Sequence, residues 1–110
     1  MQNNSSLSEK IFKQDHEQIV YCSNKKLGLK AIIGVHDTTL GSSMGGTRMW
    51  NYSSEEEGLK DVLRLSKAMT LKSSLAGLNA GGGKAVIIGD LKLKNKNFIE
   101  KYASFINDLN

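Results

Sequence analysis

Proline is absent from the 110 residues, although average usage of about 5% would supply five or six. Turns and loops must therefore come from glycine, serine and asparagine, which bend the chain without stiffening it. Cysteine is nearly absent as well. Cys22 stands alone, so no internal disulfide can form, and a reducing, cytoplasmic setting is expected. No stretch of about 18 apolar residues occurs, which excludes a membrane-spanning helix. The opening segment MQNNSSLSEK, Met1 to Lys10, is polar and lacks the apolar core of a signal peptide. His16 and His36 do not sit at ligand spacing with Cys22 or with any carboxylate, so no metal site is expected. Two domains do not fit in 12.1 kDa, and a single one with a modest core is expected.

Basic residues outnumber acidic ones by 15 to 11, a net charge of +4. An excess of that size suggests nucleic-acid binding only if it is clustered. It is scattered here. The densest group is Lys92, Lys94 and Lys96, with no aromatic side chain among them, and it reads as a solvated lysine surface.

What the chain does have is glycine, 11 residues of it, several in bunches. Gln18 to Cys22 (QIVYC) and Leu27 to His36 (LGLKAIIGVH) read as the strands of an antiparallel hairpin turning at Ser23 to Lys26. Ala31 to Val35 is apolar on both faces, as in a strand covered on both sides. Asp37 to Tyr52 (DTTLGSSMGGTRMWNY) is expected to be a loop, longer than a turn requires and so a place for function. The clearest helix follows, with Ser54 and Glu57 as a capping box, three glutamates in its first turn, and Leu59, Val62, Leu63 and Met69 as its buried stripe. It fades near Gly77. A second glycine loop, Leu78 to Gly83 (LNAGGG), feeds a buried strand at Lys84 to Asp90 that is expected to be parallel. Asn97 is the expected cap of an amphipathic helix carrying Phe98, Ile99, Tyr102, Phe105, Ile106 and Leu109. That helix is still periodic at Asn110, as though the chain were cut there, and residues 1–8 are expected to be loose. Hairpin, helix, strand and helix in this order make a layered, mixed α/β domain.

The GGGK stretch, Gly81 to Lys84, fits neither common phosphate motif. A Walker loop needs glycine where Leu78 stands and Ser or Thr where Ala85 stands, and the dinucleotide pattern needs glycine where Val86 stands. Three successive glycines instead let the backbone pass close to a ligand or another segment. Lys84, at the start of a buried strand, can be read as an amine aimed into a dry site. Burial and a neighbouring cation both disfavour the charged ammonium, and an uncharged amine can accept a proton. It can equally be read as a strand-end lysine in water. Lys72, on the last turns of the helix, could share a cleft with Lys84. One amine would then hold a carboxylate while the other acts as base. Gly45 and Gly46 could make close backbone contacts to the same ligand. Met44 and Met69 could line an apolar pocket or simply pack in the core.

Three stretches in order resemble one family of enzymes: HDTTLGSSMGGTRMW (His36 to Trp50), EEEGLKDVLRLSKAMTLK (Glu55 to Lys72) and AGLNAGGGKAVIIGD (Ala76 to Asp90). They are similar to the N-terminal part of the glutamate/leucine/phenylalanine/valine dehydrogenases, over about Glu17 to Asn110. The resemblance implies a three-layer α/β/α domain with a mixed sheet, the dimerisation domain of that family. It implies oxidative deamination of an L-amino acid to a 2-oxo acid and ammonia, with NAD as hydride acceptor. By position in the MTLK motif Lys72 matches the lysine that binds the substrate carboxylate. By position in GGGK, Lys84 matches the catalytic lysine that activates water against the imino intermediate. Gly45 and Gly46 match a glycine pair against the substrate, and Met44 and Met69 match pocket-lining positions. Ser42 and Leu91 stand where the family usually has proline, so the first loop is expected to be less rigid. The motif HDTTLG…RMW leans toward branched-chain substrates, leucine first. The family's catalytic aspartate and its whole Rossmann, nicotinamide-binding domain lie beyond Asn110. Residues 1–110 are therefore expected to be a substrate-binding and oligomerisation domain, truncated on its C-terminal side and inactive alone. A self-associating domain that kept the fold and lost the chemistry is the alternative. Relatives build dimers through the N-terminal hairpin, so a homo-oligomer is expected, and neither nucleic acid nor membrane is an expected partner.

Overall fold

The computed structural model describes residues 7–109. Gln18–Asn24 (β1) and Leu29–Asp37 (β2) pair antiparallel across a 3-10 turn at Lys25–Leu27. Asn24 caps that turn through its side-chain oxygen, which accepts from the Leu27 amide at 3.1 Å. Gly28 leaves it with a φ of +69°, a conformation that favours glycine. The hairpin is the one expected.

The long segment after it differs from expectation. It is not all loop: Ser43–Met44 (β3) and Thr47–Trp50 (β4) run in succession along one edge of Gly81–Ile88 (β5), parallel to it, with Gly45 and Gly46 as the break between them. β2 pairs with the other edge of β5, antiparallel. The sheet order is thus β1-β2-β5-β3, with β4 also on β5. The strand expected to be parallel is parallel on one side only. The second glycine loop also shortens, because Gly81, Gly82 and Gly83 lie inside β5 and are buried.

Helix α2, Glu55–Leu75, begins where the capping box predicts, with the Ser54 hydroxyl accepting from the Glu57 amide at 3.2 Å. It closes on Ala76 and Gly77, near the predicted fade. Helix α3, Lys96–Asn107, is capped two residues earlier than predicted, by Asn95 accepting from the Phe98 amide at 3.0 Å. A short helix α1, Leu7–Lys13, has no counterpart in the sequence reading, which took residues 1–8 as loose; Met1 to Ser6 lie outside the described residues.

Alternation along the strands divides the core into two layers. Ile32 and Val86 face Leu59, Val62 and Leu63 of α2, with Ile11 of α1 beside them. Cys22, Leu29, Ala31, Ile33, Ala85 and Ile87 face Phe98 of α3. The result is the three-layer α/β/α arrangement with a mixed sheet. Burial pushes the Cys22 thiol up, which keeps it an inert core residue. Among the described residues no helix is long and apolar enough to cross a membrane.

Candidate functional site

Lys84 stands in a gap made by glycines. Its register partner across β2 is Gly34, and on the other side the β4 register (Thr47 opposite Ala85) sets Gly46 beside it, with the Ala85 amide donating to the Gly46 carbonyl at 3.1 Å. A Cβ on Gly46 would lie 3.6 Å from Lys84 Nζ. Neither neighbour has a side chain, so the amine rises from bare backbone on the α2 face of the sheet. It is half-buried.

Gly45 is required by contact rather than by torsion. A Cβ there would fall 1.6 Å from the Gly83 carbonyl oxygen, so the β3–β4 break lies directly against β5. Gly82 plays the same part toward the helix: its Cβ position is 2.2 Å from the Thr70 amide nitrogen and 2.3 Å from Thr70 Oγ1. The backbone of β5 therefore touches α2 at Gly82, two residues before Lys84. Lys72 follows Thr70 by two residues and is exposed at the end of α2, its carbonyl accepting from the Ala76 amide. Met69 is half-buried on the same helix, less covered than a core stripe predicts. Met44 pairs in register with Gly82 and is 52% exposed, so it is not a core residue. Of the site residues foreseen in the sequence, Lys84 is on β5 with Met44, Gly45 and Gly46 along its edge, and Lys72 and Met69 are on the last turns of α2.

A cavity of about 280 Å³ bordered by Gly45, Gly46, Gly83 and Lys84 opens on the opposite face, where its walls include Ile33 and Ile106 of the α3-side core. Strand alternation carries the Lys84 side chain away from that cavity.

Sequence reasoning missed a second cluster on the α2 face. His16 Nε2 lies 2.7 Å from Ser66 Oγ, His36 Nδ1 lies 2.8 Å from Thr70 Oγ1, and the two rings meet edge-to-face with centroids 4.7 Å apart. Burial, then the neighbouring His36 and Lys67, hold the His16 imidazole below its ordinary range. No spacing in the sequence signals this, because the four residues come from three separate segments. Farther along the helix Asp61 accepts from Tyr52, from Arg64 at 2.6 Å, and is 3.6 Å from Arg48. Burial opposes ionisation of Asp61, but the Tyr52 and Arg64 hydrogen bonds and the two guanidinium charges hold its carboxyl below the usual range. Among the described residues no group of three potential ligands could hold a metal ion.

Residues 16–110 match the family model described as Glu/Leu/Phe/Val dehydrogenase, dimerisation domain. The leucine dehydrogenase of Geobacillus stearothermophilus is 58% identical over 97 residues, 87% of this chain and 26% of that protein. The phenylalanine dehydrogenase of Lysinibacillus sphaericus is 49% identical over 106 residues, 94% of this chain and 28% of that protein. The crystal structure of L-tryptophan dehydrogenase from Nostoc punctiforme superposes with a TM-score of 0.91 at 47% identity, over 96% of this chain and 32% of that one. The chain therefore spans only about a quarter to a third of the length of the relatives it matches. Its motifs, its sheet order and this similarity agree: the chain belongs to the glutamate/leucine/phenylalanine/valine dehydrogenase family.

Proposed function

We propose that this chain is the substrate and oligomerisation domain of an NAD-dependent amino-acid dehydrogenase. The reaction is oxidative deamination of a branched-chain L-amino acid, leucine first, to its 2-oxo acid and ammonia. The observation that carries the reading is the setting of Lys84, an amine flanked by Gly34 and Gly46 and half-buried under α2. In this reading Lys72 pairs its ammonium with the substrate carboxylate. Lys84 takes a proton from water as the water oxygen bonds to the imino carbon, and that proton goes to the nitrogen as the carbon–nitrogen bond breaks and ammonia leaves. Gly45 and Gly46 present backbone to the substrate, and Met44 and Met69 border its side chain. The relative named for leucine, at 58% identity, supports an aliphatic substrate, while those named for tryptophan and phenylalanine are 48% and 49% identical.

NAD does not fit these residues. The triglycine lies inside β5 instead of joining a strand to a helix N-terminus, which is where a dinucleotide pyrophosphate binds. The cofactor, which supplies hydride acceptance, is bound in this reading by residues beyond this chain. Exposed Leu71, Leu75 and Leu78 around Lys72 support a cleft completed by further protein. The open edge of β1, with Tyr21 53% exposed, supports self-association.

Lys84→Ala in the protein that carries this chain tests the assignment. It is expected to abolish turnover while leaving assembly and thermal unfolding unchanged, and Lys72→Ala is expected to raise KM for the amino acid. Undiminished turnover in Lys84→Ala would leave a self-associating domain without the chemistry as the better reading.

A further inference from the structure

Each histidine of the cluster over the sheet is tied to a hydroxyl of α2, and each hydroxyl stands over a glycine. Ser66 Oγ donates to the Val62 carbonyl at 2.6 Å. The Leu63 carbonyl is a second acceptor at 3.2 Å; carbonyls can only accept, so the single hydroxyl proton goes to one of these two, and Ser66 Oγ accepts from His16 Nε2. Among the described residues, Nδ1 of His16 is buried without a hydrogen-bond partner. Beneath Ser66 is Gly34, whose Cβ position is 3.3 Å from Ser66 Oγ; beneath Thr70 is Gly82, with 2.3 Å to Thr70 Oγ1. His36 falls where the β2–β5 register shifts, between the pairs Val35–Gly83 and Asp37–Gly82. A bulge of that kind re-aims a side chain, and here the ring reaches Thr70. α2 is thus seated on the backbone of β2 and β5 on either side of Lys84's position, with one hydrogen-bonded tie at each seat.

We propose that the His16–Ser66 and His36–Thr70 ties are a positioning device, setting the height and rotation of α2 over β5. Lys72, half a turn beyond Thr70, is thereby held in the geometry that a substrate bridging it to Lys84 requires. Ser66 and Thr70 supply polar anchors at points where leucine or valine would give apolar packing with more rotational freedom. The proposal rests on the two-lysine reading above. Misplacing a substrate-holding group by about 1 Å can lower a rate about a hundredfold.

The test uses the full-length protein. Thr70→Val keeps the shape and removes the tie, and Thr70→Ser keeps the tie. For Thr70→Val, kcat/KM for the amino acid is expected to fall roughly tenfold or more, with KM for NAD unchanged. Thr70→Ser is expected to stay within about twofold of the parent. His36→Ala against His36→Asn, whose amide can reach Thr70 as Nδ1 does, carries the same comparison where Thr70→Val does not accumulate as folded protein. A Thr70→Val or His36→Ala protein that unfolds at lower temperature but keeps its kcat/KM per folded molecule would overturn the proposal, leaving the ties as stabilising contacts only. Lys84→Ala is assayed alongside. If it turns over normally, the two-lysine reading fails; if it is inactive while Thr70→Val is normal, only the positioning role fails.

Discussion

At Gly82 a helix and a strand meet with no side chain between them, and the whole site depends on that absence. A methyl group there would overlap the Thr70 amide, so Gly82→Ala must push α2 outward or strain β5. Overpacking of this kind costs about 1–3 kcal/mol and occasionally more, readable as a lowered urea midpoint. Gly77 is the control. Its φ of +71° costs a side chain about 1–2 kcal/mol, but nothing lies within 4 Å of its Cβ position, so Gly77→Ala should leave the α2–β5 spacing untouched. The histidines make a second prediction at this scale. The His16 imidazole is held below its ordinary 6.5 in the fold, by burial first and then by His36 and Lys67. Between those two values the unfolded chain binds a proton that the folded one does not. Stability is therefore complete above pH 6.5 and declines as pH falls below it. Urea midpoints measured from pH 7.5 to 5.5 should fall, and His16→Gln should flatten that slope. None of this cluster was legible in the sequence, where His16 and His36 showed only that they lacked metal spacing. Lys84, Lys72 and the glycine pair were legible as a motif, but the glycine on the other flank of Lys84, Gly34, belongs to a different strand.

Elements with strong local signals were readable, and those made by tertiary contact were not. α2 announced itself through Ser54, the three glutamates and an apolar stripe, and it forms over Glu55–Leu75. Ser54→Ala should cost about 1 kcal/mol by removing the cap. β3 and β4 are only two and four residues long and are separated by Gly45 and Gly46. They exist because β5 offers them a free edge, which composition does not reveal. Gly81 to Gly83 misled for the same reason: three glycines are poor strand formers alone, and only close approach from Asp37, Thr70 and Ser43 explains them. The β4–α2 contact is polar. Burial first, and then the Asp61 hydrogen bond and charge, raise the Tyr52 phenol. In Asp61→Asn the burial remains and the carboxylate charge is gone, so Tyr52 should ionise at a lower pH, visible as an earlier alkaline rise in tyrosinate absorbance. On the other face Phe98 is fully buried, and Phe98→Ala should cost about 3–5 kcal/mol.

For the molecule as a whole, the two apolar layers on either side of one sheet leave most charge outside, and the net +4 is spread thinly. Salt should therefore change stability little. An amino-acid-dependent rise in NADH absorbance from these 110 residues alone would contradict the domain reading, since the glycines that could suggest a nucleotide loop are spent inside β5. The strand order carries one more consequence. Among the described residues β5 is the latest strand in sequence, yet it is hydrogen-bonded to β2 on one edge and to β3 and β4 on the other. On the ribosome the hairpin, the glycine break and α2 all emerge before the segment that joins them. Until Ile88 is free, β2 and β4 each hold an open edge and α2 has half of its apolar floor missing. Assembly must wait for pairings distant in sequence, which slows folding and exposes sticky edges meanwhile. Lys84 arrives on the strand that joins these pieces, so the amine takes its place in the same step that brings β2, β4 and α2 together.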